Sequence, residues 1–167
     1  MHIKTLRQLY YNLIFPYLSY GLLCWGNTYK TKLEKISTKQ NKAMRAIFFA
    51  QPRENTDSLY KILEILTVRK LFKFKISCFD YKICYDQENL PEIFRNYLTK
   101  VSQVHTHNTR SASQNSLRCP KIRTDYGKHS FSFSASKIWE HIPLHIKSSI
   151  STAIFKKEYK NYLVFSE

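Results

Sequence analysis

About 22 consecutive residues, Gln8 to Tyr29, pass without a charged side chain in a chain that is otherwise densely basic. That is the length of one membrane crossing, so RQLYYNLIFPYLSYGLLCWGNTYK (Arg7 to Lys30) limits what can fold here more than any other stretch. Basic residues flank it, as they flank membrane spans. Gln8, Asn12, Pro16, Ser19 and the tyrosines nevertheless lower its hydropathy well below that of a typical span. Two other readings remain: the buried centre of a helical domain, which is favoured, and an apolar surface left open for another segment. At a helical period Leu6, Leu9, Leu13 and Tyr17 share one face, with Tyr10 and Ile14 beside it. Pro16 should end or kink the first helix near Phe15, and Tyr17 to Trp25 should continue as a short helical piece containing Gly21. Gly26-Asn27 is a stop signal.

The 167 residues suffice for one domain, or for a domain with an appended subdomain. A hydrophobic share of 43% with 11 Phe and 12 Tyr excludes a wholly disordered chain. Only 3 Gly and 5 Pro argue against a loop-rich or sandwich fold. The expectation is a mainly α-helical chain: a helical bundle over residues 1–99, a basic arm over 100–127 and a C-terminal helical segment over 128–167. The four cysteines, Cys24, Cys78, Cys84 and Cys119, form no CxxC, so neither a zinc ribbon nor a redox motif is present. The first twenty residues lack the pattern of a signal peptide. An intracellular, reducing setting fits this cysteine usage.

Lys and Arg number 27 against 12 acids, so the net charge is 27 − 12 = +15. A surface this basic calls for an anionic partner. Nucleic acid is the commonest one, an anionic membrane surface the next, and a solvated lysine-rich face the bland alternative.

The basic residues are patterned. TYKTKLEKISTKQNKAMRAIFFA reads as a helix, with Thr31 to Glu34 in capping-box form. Leu33, Ile36, Ala43, Met44 and Ile47 make its apolar stripe. Lys32, Lys35, Lys39 and Lys42 fall three or four apart on an adjoining face, with Arg45 further round. Like charges at that spacing repel by a few tenths of a kcal/mol per pair unless phosphates lie nearby. Binding stripe and solvated face both fit. Residues 51–57 read as a loop and residues 58–66 as a short helix. Thr67 should cap a longer helix to about Asp86, with Phe72, Ile76, Phe79 and Ile83 on one face. Arg69, Lys70, Lys73 and Lys75 crowd its first half, and the helix dipole disfavours cations near its start, so an outside anion is again invited.

Pro91 should open a helical turn. From Lys100 the chain turns to Ser, Thr, Asn, His and basic residues. Residues 105–110 and 118–124 should pair as short edge strands across the Ser111 to Ser116 loop, placing Arg110, Arg118, Lys121 and Arg123 on a partly ordered arm that serves as a basic loop or as a linker. Phe131, Ala135, Ile138 and Trp139 follow helical spacing up to Pro143. Ser151 should cap a last helix, Thr152 to Leu163, with Phe155, Tyr159, Tyr162 and Leu163 on its apolar side.

The acids are dispersed, with no DD, DxD or ExxE pair for two-metal phosphoryl transfer. No glycine-rich phosphate loop, GxSxG or HExxH occurs. His105 and His107 have no third ligand nearby. Catalysis within these residues is therefore not expected, and neither a metal nor a cofactor is.

The order of segments carries a resemblance. LYYNLIFPYLSYGLLCWGN followed by KLEKISTKQNKAMRAI is similar to the region after the catalytic palm in reverse transcriptases of LINE-type (non-long-terminal-repeat) retrotransposons, jockey-like elements in particular. HNTR (His107 to Arg110), IRTDYGKHSFSFSASKIWEHIP and SSISTAIFKKEYKNYL resemble the usual ending of those polyproteins. The resemblance implies a helical thumb over about residues 3–88, gripping a template–primer duplex, followed by the element's C-terminal extension. The family's paired catalytic aspartates and its endonuclease do not occur here, and a palm-bearing reverse transcriptase segment is one candidate partner. The expectation is thus a C-terminal piece of an RNA-directed DNA polymerase that binds RNA, DNA or their hybrid through phosphates without polymerising. Neutralising five phosphates on a duplex would give a log affinity against log salt slope of roughly −4 to −5.

Overall fold

The computed structural model describes residues 2–104, 107, 109 and 114–166. The chain is mainly α-helical, and no helix among the described residues is long and apolar enough to cross a membrane. It divides into two compact units, Met1–Phe72 with Lys160–Glu167, and Lys73–Tyr159. These boundaries cut across the three sequence segments 1–99, 100–127 and 128–167.

In the first unit, α1 (Ile3–Leu13) stops just before Pro16, which cannot donate to the turn behind it, and α2 (Phe15–Ser19) takes that proline in its first turn. Tyr20 leaves the helix, and Gly21 adopts φ 57 before α3 (Leu22–Trp25) begins. The expected continuous piece from Tyr17 to Trp25 is therefore two, split by a left-handed position that glycine takes without strain. The Trp25 indole N–H bridges the break by donating to the Tyr20 carbonyl at 2.7 Å. At Gly26 a Cβ would overlap the Phe72 ring, so close packing requires glycine there.

α4 (Lys30–Phe48) and α5 (Asp57–Leu63) close the core of this unit, which joins Leu6, Tyr10, Met44, Leu59, Tyr60, Leu63 and Ile65. The inward face of α1 is Leu6 and Tyr10, four apart. Leu13 and Tyr17, expected on that face, are 62% and 83% exposed. Between Gln8 and Tyr29 only Tyr10, Leu22 and Gly26 are buried. The buried-centre reading thus holds only at scattered points, Tyr10 before Pro16 and Leu22 and Gly26 after it, because the two breaks keep the run from presenting one continuous face. α4 begins two residues before the expected capping box and uses no side-chain cap. α5 is shorter than expected, because Glu64 takes φ 51 and reverses the chain, although Ile65 and Leu66 stay buried. Thr67 Oγ1 accepts from the Lys70 N–H at 3.4 Å, so α6 (Val68–Tyr85) starts where the sequence places it.

The second unit contains most of α6, then α7 (Glu92–Arg95), α8 (Phe131–Glu140), α9 (Leu144–Lys147) and most of α10 (Thr152–Phe165). Its core is aromatic. Phe155 stacks on Tyr81 with ring centroids 4.4 Å apart and on Trp139 at 6.0 Å. Phe79 meets Phe94 and Phe131 edge-on at 5.2 and 5.6 Å. The Ser151 hydroxyl accepts from the Ile154 N–H at 3.3 Å, as its capping role requires. On α10, Tyr162 is 41% exposed while Val164 is buried, a rotation of the expected face.

The hairpin expected between 105–110 and 118–124 does not occur among the described residues. A lone antiparallel bridge joins Lys100 to Leu117 instead, with Arg118 N–H donating to the Thr99 carbonyl at 2.8 Å. The chain after it is held by α8. The Ser136 hydroxyl donates to the Arg118 carbonyl at 3.1 Å and the Trp139 indole N–H to the Asn115 carbonyl at 2.9 Å. His105 and Arg110 lie outside the described residues.

Candidate functional site

The four expected lysines stand together. Lys32, Lys35, Lys39 and Lys42 are all exposed on one side of α4, and ten residues of α-helix spread them over about 15 Å. The buried side of the helix, Gln40 and Met44 with half-buried Leu33, Ile36, Ala43 and Ile47, is the apolar stripe read from the sequence. α4 contains one acid, Glu34, and its carboxylate faces the Arg69 guanidinium at 3.3 Å rather than the lysine row. None of the four lysines has an acidic partner among the described residues. Two basic side chains, Lys30 and Lys32, also lie in the first turn of α4, where the dipole disfavours cations. An external anion would relieve both costs.

The other expected cations are arranged differently. Arg45 Nε donates to the Glu54 carbonyl at 2.8 Å, which ties it to its own loop. Arg69 faces Glu34, and Lys70 Nζ donates to the Ser166 carbonyl at 2.6 Å. The crowding at the start of α6 is thus relieved from within the chain, by partners distant in sequence. Lys73 is exposed and falls in the second unit, as do Arg118, Lys121 and Arg123 on the extended segment before α8. Lys121 and Arg123 are two apart, and both are exposed. Arg110 lies outside the described residues.

Two features of the site were not read from the sequence. The first is Gln40, buried in the apolar stripe of α4. Its Nε2 donates to the Tyr10 hydroxyl at 2.8 Å and the Leu66 carbonyl at 3.1 Å, and its Oε1 accepts from the Val68 N–H at 2.8 Å. One side chain therefore fixes α4 against α1 and caps α6, which holds the lysine row in a set orientation. Burial pushes the Tyr10 phenol up to about 12, against the pull of its Gln40 bond. A single polar residue at the centre of an otherwise apolar stripe was the available signal. The second is an apolar groove of about 320 Å³ between α1 and the end of α4, lined by Leu9, Leu13, Ile14, Ala43, Ala46, Ile47 and Phe49.

The second unit has a larger, polar cavity of about 580 Å³ beside Tyr85, Asp86, Glu88 and Lys100, with Lys100 Nζ 4.3 Å above the Tyr85 ring. Cys84 borders it, but burial pushes its thiol up to about 12, so it is a poor nucleophile. Among the described residues no group of three His, Cys, Asp or Glu side chains could hold a metal ion. No model of a known protein family, no curated protein and no solved structure matches this chain, so what it does is argued from its own residues.

Proposed function

We propose that this chain is a nucleic-acid-binding piece of a retrotransposon reverse transcriptase, corresponding to the thumb and tail, and that it binds through phosphates without catalysing polymerisation. One observation carries the binding part. Four lysines share an exposed face of α4, and the only carboxylate on that helix is turned to Arg69. The row spans about 15 Å, the axial rise of about four nucleotides of duplex at 3.4 Å each. The family assignment rests on the ordered sequence resemblance described above. RNA, DNA and their hybrid all present the required phosphates, and a palm-bearing segment of the same kind of enzyme is the expected protein partner.

Four phosphates give a log affinity against log salt slope of about −3.6 on duplex, with each lost lysine flattening it by about 0.9. This is shallower than the five-phosphate expectation, because Arg69 faces Glu34. The test is binding of the purified chain to a labelled RNA–DNA duplex across a salt series, with a Lys35→Glu/Lys39→Glu variant whose circular dichroism is unchanged. A steep slope that the variant flattens supports the reading. A salt-insensitive affinity, or a variant that binds as well, refutes it.

The exposure of Leu13, Tyr17, Tyr20 and Phe49 favours a second reading, an inert remnant that has lost the surface it packed against. In that case the well-folded chain binds no nucleic acid at low salt and takes up apolar dyes.

A further inference from the structure

The lysine row of α4 leads into apolar surface. Ala43 lies four residues after Lys39 and Ala46 four after Lys42, so the face that carries Lys32, Lys35, Lys39 and Lys42 continues into the groove against α1. At the end of that face stands Phe49, 85% exposed, and the α1 wall contributes Leu13, 62% exposed. Phe49 takes φ 54. The turn is fixed by hydrogen bonds from the Phe49 N–H to the Ala46 carbonyl at 3.3 Å and from the Ala50 N–H to the Arg45 carbonyl at 2.9 Å. The backbone therefore holds the ring outside the core. One face passes from four cations to an aromatic tip, and that tip lies about 10 Å beyond Lys42 along the helix.

A bilayer presents the matching order from water inward. Anionic headgroups attract lysines, and apolar side chains sink about 5–10 Å to the boundary with the acyl chains. The step from Lys42 to Phe49 fits that depth when α4 tilts into the surface. Two other occupants fit less well. A second copy carries the same +15 charge, and its own lysine row would be brought against this one. A globular partner engages about 20–30 residues a side in a stable interface, whereas seven line this groove of about 320 Å³. A bilayer needs no complementary cavity. It accepts a protruding ring, and each lysine at its surface strengthens the attachment.

We infer that the end of α4, with the apolar wall of α1 beside it, docks the chain peripherally on an anionic phospholipid membrane. Phe49 and Leu13 enter the acyl boundary, and Lys39 and Lys42 lie among the headgroup phosphates. This surface contact stands apart from the nucleic-acid reading, although the same lysines would meet both polyanions.

The test is co-sedimentation of the purified chain with phosphatidylcholine vesicles, with and without phosphatidylserine. The chain should bind the phosphatidylserine vesicles and prefer them strongly. Lys39→Gln/Lys42→Gln should lose about thirtyfold in affinity for them. Phe49→Gly, whose backbone is at ease in the left-handed position, should lose about tenfold. A Phe49→Trp variant should shift to the blue on these vesicles and be quenched by brominated acyl chains beyond the baseline set by Trp25 and Trp139. Circular dichroism checks that each variant is folded. Absence of binding, or equal binding to neutral and anionic vesicles, overturns the inference. Binding that Phe49→Gly leaves unchanged overturns the inserted tip and leaves charge alone. A Phe49→Gly change that weakens duplex binding as much as vesicle binding overturns lipid as the ligand of the tip in favour of nucleic acid. A dimer that Phe49→Gly abolishes overturns it in favour of a second copy, and tighter binding of an acidic amphipathic peptide than of vesicles overturns it in favour of a protein partner.

Discussion

Asp80 supplies the sharpest stability prediction. It lies in the middle of α6 with no exposed surface, and among the described residues neither of its carboxylate oxygens nor the nearby Ser77 hydroxyl has a hydrogen-bond partner. Burial pushes its carboxyl well above the usual range. A group that holds its proton more tightly when folded stabilises the fold fully only below its unfolded pKa, about 3.9. As the pH rises above that, the unfolded chain ionises while the folded one resists, and stability falls by up to about 1.4 kcal/mol per pH unit until the folded carboxyl ionises. To this is added the cost of burying a polar group unsatisfied, about 1–3 kcal/mol even when neutral. Asp80→Leu removes both terms, whereas Asp80→Asn keeps the shape and removes only the titration. At pH 7 the leucine variant should be more stable by at least about 1–3 kcal/mol, a Tm rise of about 2–12 °C at the usual 2–4 °C per kcal/mol for a chain of this size. Thermal melts of wild type and both variants from pH 4 to pH 8 test this. The advantage of Asp80→Asn should be small at pH 4 and widen steadily above it. An advantage independent of pH, or an asparagine variant less stable than wild type at pH 7, would refute the reasoning.

Other consequences follow from single residues. Gln40→Leu should destabilise the first unit by about 2–4 kcal/mol, because it orphans the Tyr10 hydroxyl, the Leu66 carbonyl and the Val68 N–H together; denaturant melts showing a loss under 1 kcal/mol would contradict that. Phe49→Gly should raise stability by about 0.5–1 kcal/mol by relieving a left-handed non-glycine residue, and a lowered melting temperature would count against it. Two thiols of the four should label rapidly at pH 8, Cys24 and Cys119, which are exposed. Burial pushes the thiols of Cys78 and Cys84 up to about 12, so peptide mapping should find them protected until the chain unfolds.

Local pattern was enough to place most of the helices. Periodicity marks the stripe of α4, Thr67 and Ser151 mark two helix starts, and Pro91 and Pro143 mark turns, because each of these depends on residues within about one helical turn. The inward face of α1 was not readable in the same way. Leu9 and Leu13 are as apolar as Leu6 and Tyr10, and what selects the latter pair is packing against α4 and α5, together with the breaks at Pro16 and Gly21 that let the chain depart from one face. The bridge between Lys100 and Leu117 is likewise decided by Ser136 and Trp139 of α8, whose bonds hold the strand-like segment from a distance.

Polar residues inside apolar stripes show where sequence reading stops and why. Gln40 on α4 and Asp80 on α6 give the same local sign, one hydrophilic side chain on a buried face. Gln40 finds three partners, which come from residues 26 to 30 positions away in the chain. Asp80 finds none among the described residues. The charges follow the same logic. Arg69 and Lys70 look as available as Lys35 or Lys39 until Glu34 and the Ser166 carbonyl arrive from 35 and 96 residues away. The fold therefore acts on the basic surface by subtraction. It satisfies the cations at the start of α6 from within, turns the one acid of α4 toward them, and so leaves the lysine row of α4 as the concentrated positive surface of the first unit. The separation is testable in the salt slope: replacing Arg69 should barely change it, whereas each lysine of the row should flatten it by about 0.9.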